Sequence, residues 1–137
     1  MSFEAALQQA VYDQLSGYPS MPTVYDDVPV DVKGDPAVPF PYVVIGEDTH
    51  IPFDTDDSLG SESTLTLHTW SRYRGKKECK DIMALIYDAL TRQPLVLDGH
   101  DLITIEFEYS EVVLDPDGIT RHGVQRFRAL VEQATAT

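Results

Sequence analysis

Hydrophobic residues recur at helical spacing from the start of the chain, with Phe3, Ala6, Leu7, Ala10, Val11 and Leu15 on one face. Ser2 ahead of them is a suitable N-cap and Gly17 behind them a stop, which predicts a helix over residues 3–16. A second stripe is formed by Cys79, Ile82, Met83, Ile86, Ala89 and Leu90, with Lys76, Lys77, Lys80, Asp81 and Asp88 off it. It predicts a helix from about Lys76 to Thr91, ended by Pro94. At ~1.5 Å per residue that helix is about 24 Å long, enough to cover a pair of strands.

Elsewhere the hydrophobic period is two. Tyr42 to Glu47 contains the continuous run Val43-Val44-Ile45, expected to be buried on both faces of a sheet. From Ser63 to Trp70, Leu65 and Leu67 alternate with Thr64, Thr66 and His68. The acidic stretch Asp54 to Gly60 joins these two strands into a long hairpin with a flexible, negative tip. Ile103, Ile105, Phe107 and Tyr109 form the next alternating segment, and Phe127, Ala129 and Val131 the last. With Phe107 opposite Phe127, Ile105 meets Ala129, Ile103 meets Val131, Glu106 meets Arg128 and Glu108 meets Arg126. One register then satisfies an apolar face and a charged face together. Pro116 to Gly118 are the central turn residues, Gly118 supplying a positive φ.

Six of the nine prolines fall between Pro19 and Pro41, so regular structure there is confined to pieces such as Thr23-Val24-Tyr25, in a connection wrapped over the domain. The order helix, short strand, hairpin, helix, hairpin predicts an α+β fold. It would be a mostly antiparallel sheet of about four to five strands with two helices packed on one face. Residues 1–137 are read as a single domain, with a Pro-rich connection at 18–41 and an acidic hairpin loop at 52–62.

Charge changes the picture more than size does. Ten Lys plus Arg stand against 23 Asp plus Glu, a net charge of −13, which argues against broad binding to nucleic acid or anionic membranes. The imbalance is local. Residues 1–60 hold eleven acids and one base (Lys33), or −10, while residues 61–137 hold twelve acids and nine bases, or −3. The single cysteine, Cys79, cannot form an internal disulfide and fits a reducing compartment. The opening Met-Ser-Phe-Glu-Ala-Ala-Leu has an acid and no base, unlike a secretion signal, and no apolar run is long enough to span a bilayer. The expectation is a soluble protein of the cytoplasm, or of something assembled there.

Catalytic patterns are weak. Asp54, Asp56 and Ser58 have the first three ligand spacings of a calcium loop, but Leu59 stands where glycine is required and Leu65 where the closing carboxylate belongs. A solvated loop tip is the expected state. His50, His68, His100 and His122 share no ligand spacing and read as scattered surface histidines. Cys79 on the apolar stripe reads as a small core residue. Glu106 and Glu108 are more simply partners of Arg126 and Arg128 than catalytic carboxylates. Nucleophile-elbow and phosphate-loop motifs are absent. No catalytic residue, metal or cofactor is expected.

The stretch from Trp70 to Lys80 holds five of the ten bases, Arg72, Arg74, Lys76, Lys77 and Lys80, interleaved with Trp70 and Tyr73. It could bind nucleic acid or form a solvated corner. In a chain so acidic over its first sixty residues, the charge map favours a third use, contact with the acidic region of an identical neighbour. Head-to-tail contacts of that kind close into a ring when the rotation permits.

Ordered motifs across most of the chain carry a family resemblance. They are the opening Phe3-Glu4-Ala5-Ala6-Leu7-Gln8, Val24-Tyr25-Asp26-Asp27-Val28-Pro29, Phe40-Pro41-Tyr42-Val43-Val44-Ile45-Gly46-Glu47 and Thr64-Leu65-Thr66-Leu67-His68-Thr69-Trp70-Ser71-Arg72. Gly75 then opens a helix, and Leu114-Asp115-Pro116-Asp117-Gly118 and Thr120 to Ala129 complete the set. The sequence resembles the tail-completion or tail-terminator (head–tail joining) proteins of long-tailed bacteriophages and gene transfer agents.

The resemblance implies a structural virion protein of the tail–head interface, assembled in the host cytoplasm and not an enzyme. Such subunits form rings, commonly hexameric, that cap the head-proximal end of the tail tube. Their implied partners are further copies, the tail tube protein and the neck or stopper protein, with DNA passing through unbound. Six copies at −13 each carry −78 formal charges, so a lumen lined by part of that repels phosphates. Asp54, Asp56 and Asp57 are candidates for the lumen or a neighbouring ring, and Arg72, Arg74, Lys76, Lys77 and Lys80 for the subunit interface. The competing readings are a small metal-dependent hydrolytic enzyme and a nucleic-acid-binding regulator.

Overall fold

In the computed structural model, which describes residues 2–134, the first helix forms where its cap and apolar stripe place it. The Ser2 Oγ accepts the Ala5 N–H at 3.1 Å, and α1 (Phe3–Ser16) buries Ala6, Leu7, Ala10, Val11 and Leu15. Five strands follow in chain order, with the second helix between the third and fourth: β1 (Val24–Tyr25), β2 (Tyr42–Pro52), β3 (Gly60–Ser71), α2 (Lys77–Thr91), β4 (His100–Leu114) and β5 (Arg121–Gln133). They make one sheet in the order β1-β2-β3-β5-β4, antiparallel except for the β1–β2 pair. The fold is α+β, as the element order predicts, with both helices on one face.

Packing follows the two periods. Val43, Ile45, Leu65, Leu67, Phe127, Ala129 and Val131 point to the helix side and join the buried faces of α1 and α2 in one apolar cluster. Full burial of a side chain such as Leu67 or Phe127 contributes roughly 1.5–3 kcal/mol. Opposite the Thr69 position of β3, Gly123 lets α2 settle closely onto the sheet. A Cβ at Gly123 would lie 2.6 Å from Met83 Sδ and 2.7 Å from Cys79 Sγ, so only glycine fits. The buried Gln125 reinforces that contact by donating to the Met83 carbonyl at 2.8 Å.

Several expectations change in detail. Phe107 does face Phe127, Ile105 faces Ala129 and Glu106 faces Arg128, but β4 bulges at Ile103 and at Glu108. Leu102 therefore opposes Val131, and Tyr109 opposes Arg126. The extra residue at Glu108 turns its carboxylate between two arginines, 2.6 Å from Arg128 Nε and 3.3 Å from Arg126 Nε. After the bulges, Asp115 and Thr120 close the hairpin, leaving four residues in the turn instead of three, with Gly118 at φ 74° as expected. Val44 is half-buried, unlike its neighbours Val43 and Ile45. The acidic loop is 53–59, because Pro52 closes β2 and Gly60 to Glu62 open β3. Residues 26–39 do not wrap over the core. They are exposed, with only Val28, Pro36 and Val38 half-buried.

Candidate subunit interface

The basic stretch begins at the corner where β3 turns into α2. Ser71 ends the strand buried, its hydroxyl donating to Glu78 at 2.6 Å and accepting the Tyr73 N–H at 3.3 Å. Those two bonds fix the corner from which Tyr73, Arg74, Lys76 and Lys77 fan out, all exposed. Arg72 points back into the fold. Its guanidinium lies 4.2 Å from the centre of the Phe40 ring, its Nε donates to Thr120 Oγ1 at 3.1 Å, and it reaches Asp117 at 3.8 Å. The Asp117 carboxylate also accepts the Thr120 hydroxyl at 2.6 Å and the Ile119 and Thr120 amides at 2.8 Å each. These bonds hold its pKa at about 2, the Thr120 hydroxyl first among them.

Lys77 is engaged by Asp81 one turn on, at 2.7 Å, and that hydrogen bond raises the lysine pKa. Arg74, Lys76 and Lys80 have no ion-pair partner among the described residues. The sequence therefore groups five bases, of which the fold pairs Arg72 and Lys77 with carboxylates of the same chain.

The acidic loop lies far from them. It precedes the first residue of β3 while the basic corner follows the last, and at ~3.3 Å per residue those ends are roughly 36 Å apart. Asp54 shapes the loop, its Oδ1 accepting the Gly60 N–H at 3.0 Å, whereas Asp56 and Asp57 are exposed with no hydrogen bond or ion pair among the described residues.

On the sheet face away from the helices, the histidines are not scattered as expected. Pairing of β3 with β5 brings His68 Nδ1 to 2.7 Å from His122 Nε2, and His68 Nε2 to 2.7 Å from Glu47 Oε1. Trp70 stacks flat on His122 with ring centres 3.8 Å apart. Burial, then the neighbouring His68, lowers the His122 pKa, and the hydrogen bond from His68 lowers that of Glu47. Elsewhere His50 is held between Ser63 at 2.8 Å and Asp48 at 2.7 Å. Only the β3–β5 pairing reveals the His68–His122 contact, since 54 residues separate the two. Among the described residues no group of three or more His, Cys, Asp or Glu side chains is placed to hold a metal ion. Cys79 is buried, and burial pushes its thiol up to about 11, which leaves it a core residue.

The sequence matches the family described as Tail completion protein gp17 over residues 5–132. The chain belongs to that family. It is 35% identical over 124 residues to the tail completion protein gp17 of Bacillus phage SPP1, which covers 90% of each sequence. Among solved structures it is similar to a chain in the virion of a native gene transfer agent particle, with a TM-score of 0.82 and 26% identity, covering 96% of this chain and 99% of that one. It is also similar to the structure of bacteriophage SPP1 gp17, with a TM-score of 0.58 and 30% identity, covering 96% and 90%. Membership makes the chain a structural component of the virion and not an enzyme.

Proposed function

We propose that identical copies of this tail completion protein, six in number, close into a ring. The ring caps the head-proximal end of the tail tube and joins it to the neck, with DNA passing through its lumen. The observation that carries this reading is the way the fold turns a charge asymmetry in sequence into one in space. The elements of the first sixty residues, which carry ten net negative charges, occupy the α1 and β1–β2 side of the sheet. The unpaired Arg74, Lys76 and Lys80 sit beyond β3, at the start of α2. Complementary surfaces on different sides of one subunit make a head-to-tail contact, which repeats from copy to copy.

The lumen follows from the same charges. Asp56 and Asp57, with Asp54 holding the loop's shape, face the channel or the neighbouring ring, where their negative potential keeps DNA phosphates from adhering. The tube protein and the neck protein are the ring's other partners. Replacing Arg74, Lys76 and Lys80 together by Glu tests the reading: the variant chain should fold and yet leave particles without joined heads and tails. Normal particles from that variant would refute the interface.

A further inference from the structure

Residues 26–39 form an arm whose shape owes little to the core. Val30 bridges Pro36 in antiparallel fashion, the Asp31 N–H donates to the Asp35 carbonyl at 2.8 Å, and the Ala37 N–H donates to the Pro29 carbonyl at 2.8 Å. At the tip, Asp31 Oδ1 accepts the Lys33 N–H at 2.8 Å and the Asp35 N–H at 3.0 Å. This bonded turn holds two branched apolar side chains out in water, Val32 fully exposed and Val30 61% exposed. Around them stand Asp26, Asp27, Asp31 and Asp35 against the single base Lys33. No contact within the described chain covers the tip.

At the β4 edge of the sheet a groove of about 510 Å³ runs between α2 and β4. Its apolar lining includes Met83, Tyr87, Phe107 and Val112, with Tyr87 and Phe107 still 37% and 40% exposed. Two of the unpaired cations, Lys76 and Lys80, line it as well, as does Glu111. The groove thus offers an apolar floor beside positive charge, and the arm offers an apolar knob beside negative charge.

We propose that the arm of one copy seats Val32 in the α2–β4 groove of the next copy, with Asp26, Asp27 and Asp35 approaching Lys76 and Lys80. The inference rests on the ring reading and names the acidic segment that meets the basic corner. The arm leaves the sheet at β1 and the groove borders β4, the two opposite edges. Within this chain Val32 stays fully exposed and the groove stays open, and an arm and a groove on opposite edges suit a head-to-tail contact better than a reciprocal pair. Repetition around an axis satisfies every arm and every groove. The acidic loop is the less suitable occupant, because its apolar side chains Phe53 and Leu59 are only 46% and 54% exposed, against full exposure of Val32.

Paired cysteines test this in assembled particles. Val32→Cys and Ala84→Cys are both exposed positions, Ala84 lying in the groove, and the buried Cys79 does not compete. Oxidation should join copies carrying both substitutions into a covalent ladder up to a closed ring, while either substitution alone gives no ladder. Particles whose ring is visible by electron microscopy but whose chains do not cross-link would overturn the arm contact and leave the ring standing. A ladder from Asp56→Cys with Ala84→Cys, and none from the Val32 pair, would likewise overturn it in favour of the loop. Particles without a ring would remove both readings. Charge exchange gives a second readout: assembly lost on Lys76→Glu with Lys80→Glu should return on adding Asp26→Lys, Asp27→Lys and Asp35→Lys, and failure to return counts against the contact.

Discussion

Arg72 lies over Phe40, donates to Thr120 and reaches Asp117, whereas Arg74, two residues on, ends in solvent without an ion pair in the described chain. The two belong to one basic stretch, yet one ties the corner to the β4–β5 turn and the other makes no ion pair among the described residues. Clustering in sequence reports where charge is dense. Which charges the fold itself consumes depends on a turn 48 residues away. Mutations at the two kinds of position should therefore separate folding from assembly.

The largest effect expected is the loss of assembly on reversing Arg74, Lys76 and Lys80 to Glu. Melting of the purified chain should barely move, since exposed sites of this kind usually lie within about 0.5 kcal/mol of neutral. Arg72→Ala should do the opposite. Losing the Phe40 contact and the Thr120 hydrogen bond should destabilise by about 1 kcal/mol, a drop of roughly 4 °C in Tm, with assembly retained below that temperature.

Smaller effects come from protons. His122 is held below the ordinary histidine value by burial, so its stabilising contribution is full above about pH 6.5, where the unfolded chain is also neutral. It is lost as the pH falls below that value, because the unfolded chain then takes up a proton that the fold resists. His122→Phe, which can still stack on Trp70, should flatten the fall in Tm as the pH drops below about 6.5. Asp117 behaves differently: its contribution is complete above 3.8 and fades only as the pH falls through about 2. The Arg72 corner should thus outlast the histidine pair on acidification. Smallest of all, Lys77→Ala should leave both Tm and assembly unchanged, because its partner Asp81 is on the same exposed helix face.

Much of the frame is legible in the sequence where local rules and packing agree. The Ser2 cap, both helical stripes and the Phe107–Phe127 pairing each depend on residues within one element or one hairpin. Long-range order is less legible. Nothing local says that β5 inserts between β3 and β4, and that insertion creates the His68–His122 contact and the Gly123 seat for α2. The bulge at Glu108 is similarly hidden, because alternation continues through it in sequence while the register slips by one. For residues 26–39, proline content forecasts irregular backbone but not whether that backbone covers the core or leaves it. The segment is exposed, and the turn bonds made by Asp31 shape its tip.

A reconstruction of the intact particle would show the copies in place. A closed ring of identical copies should stand at the tail–head junction, with Arg74, Lys76 and Lys80 buried at every contact between neighbours. A lone copy at that junction, or a ring that leaves those three side chains in solvent, would contradict the proposed interface.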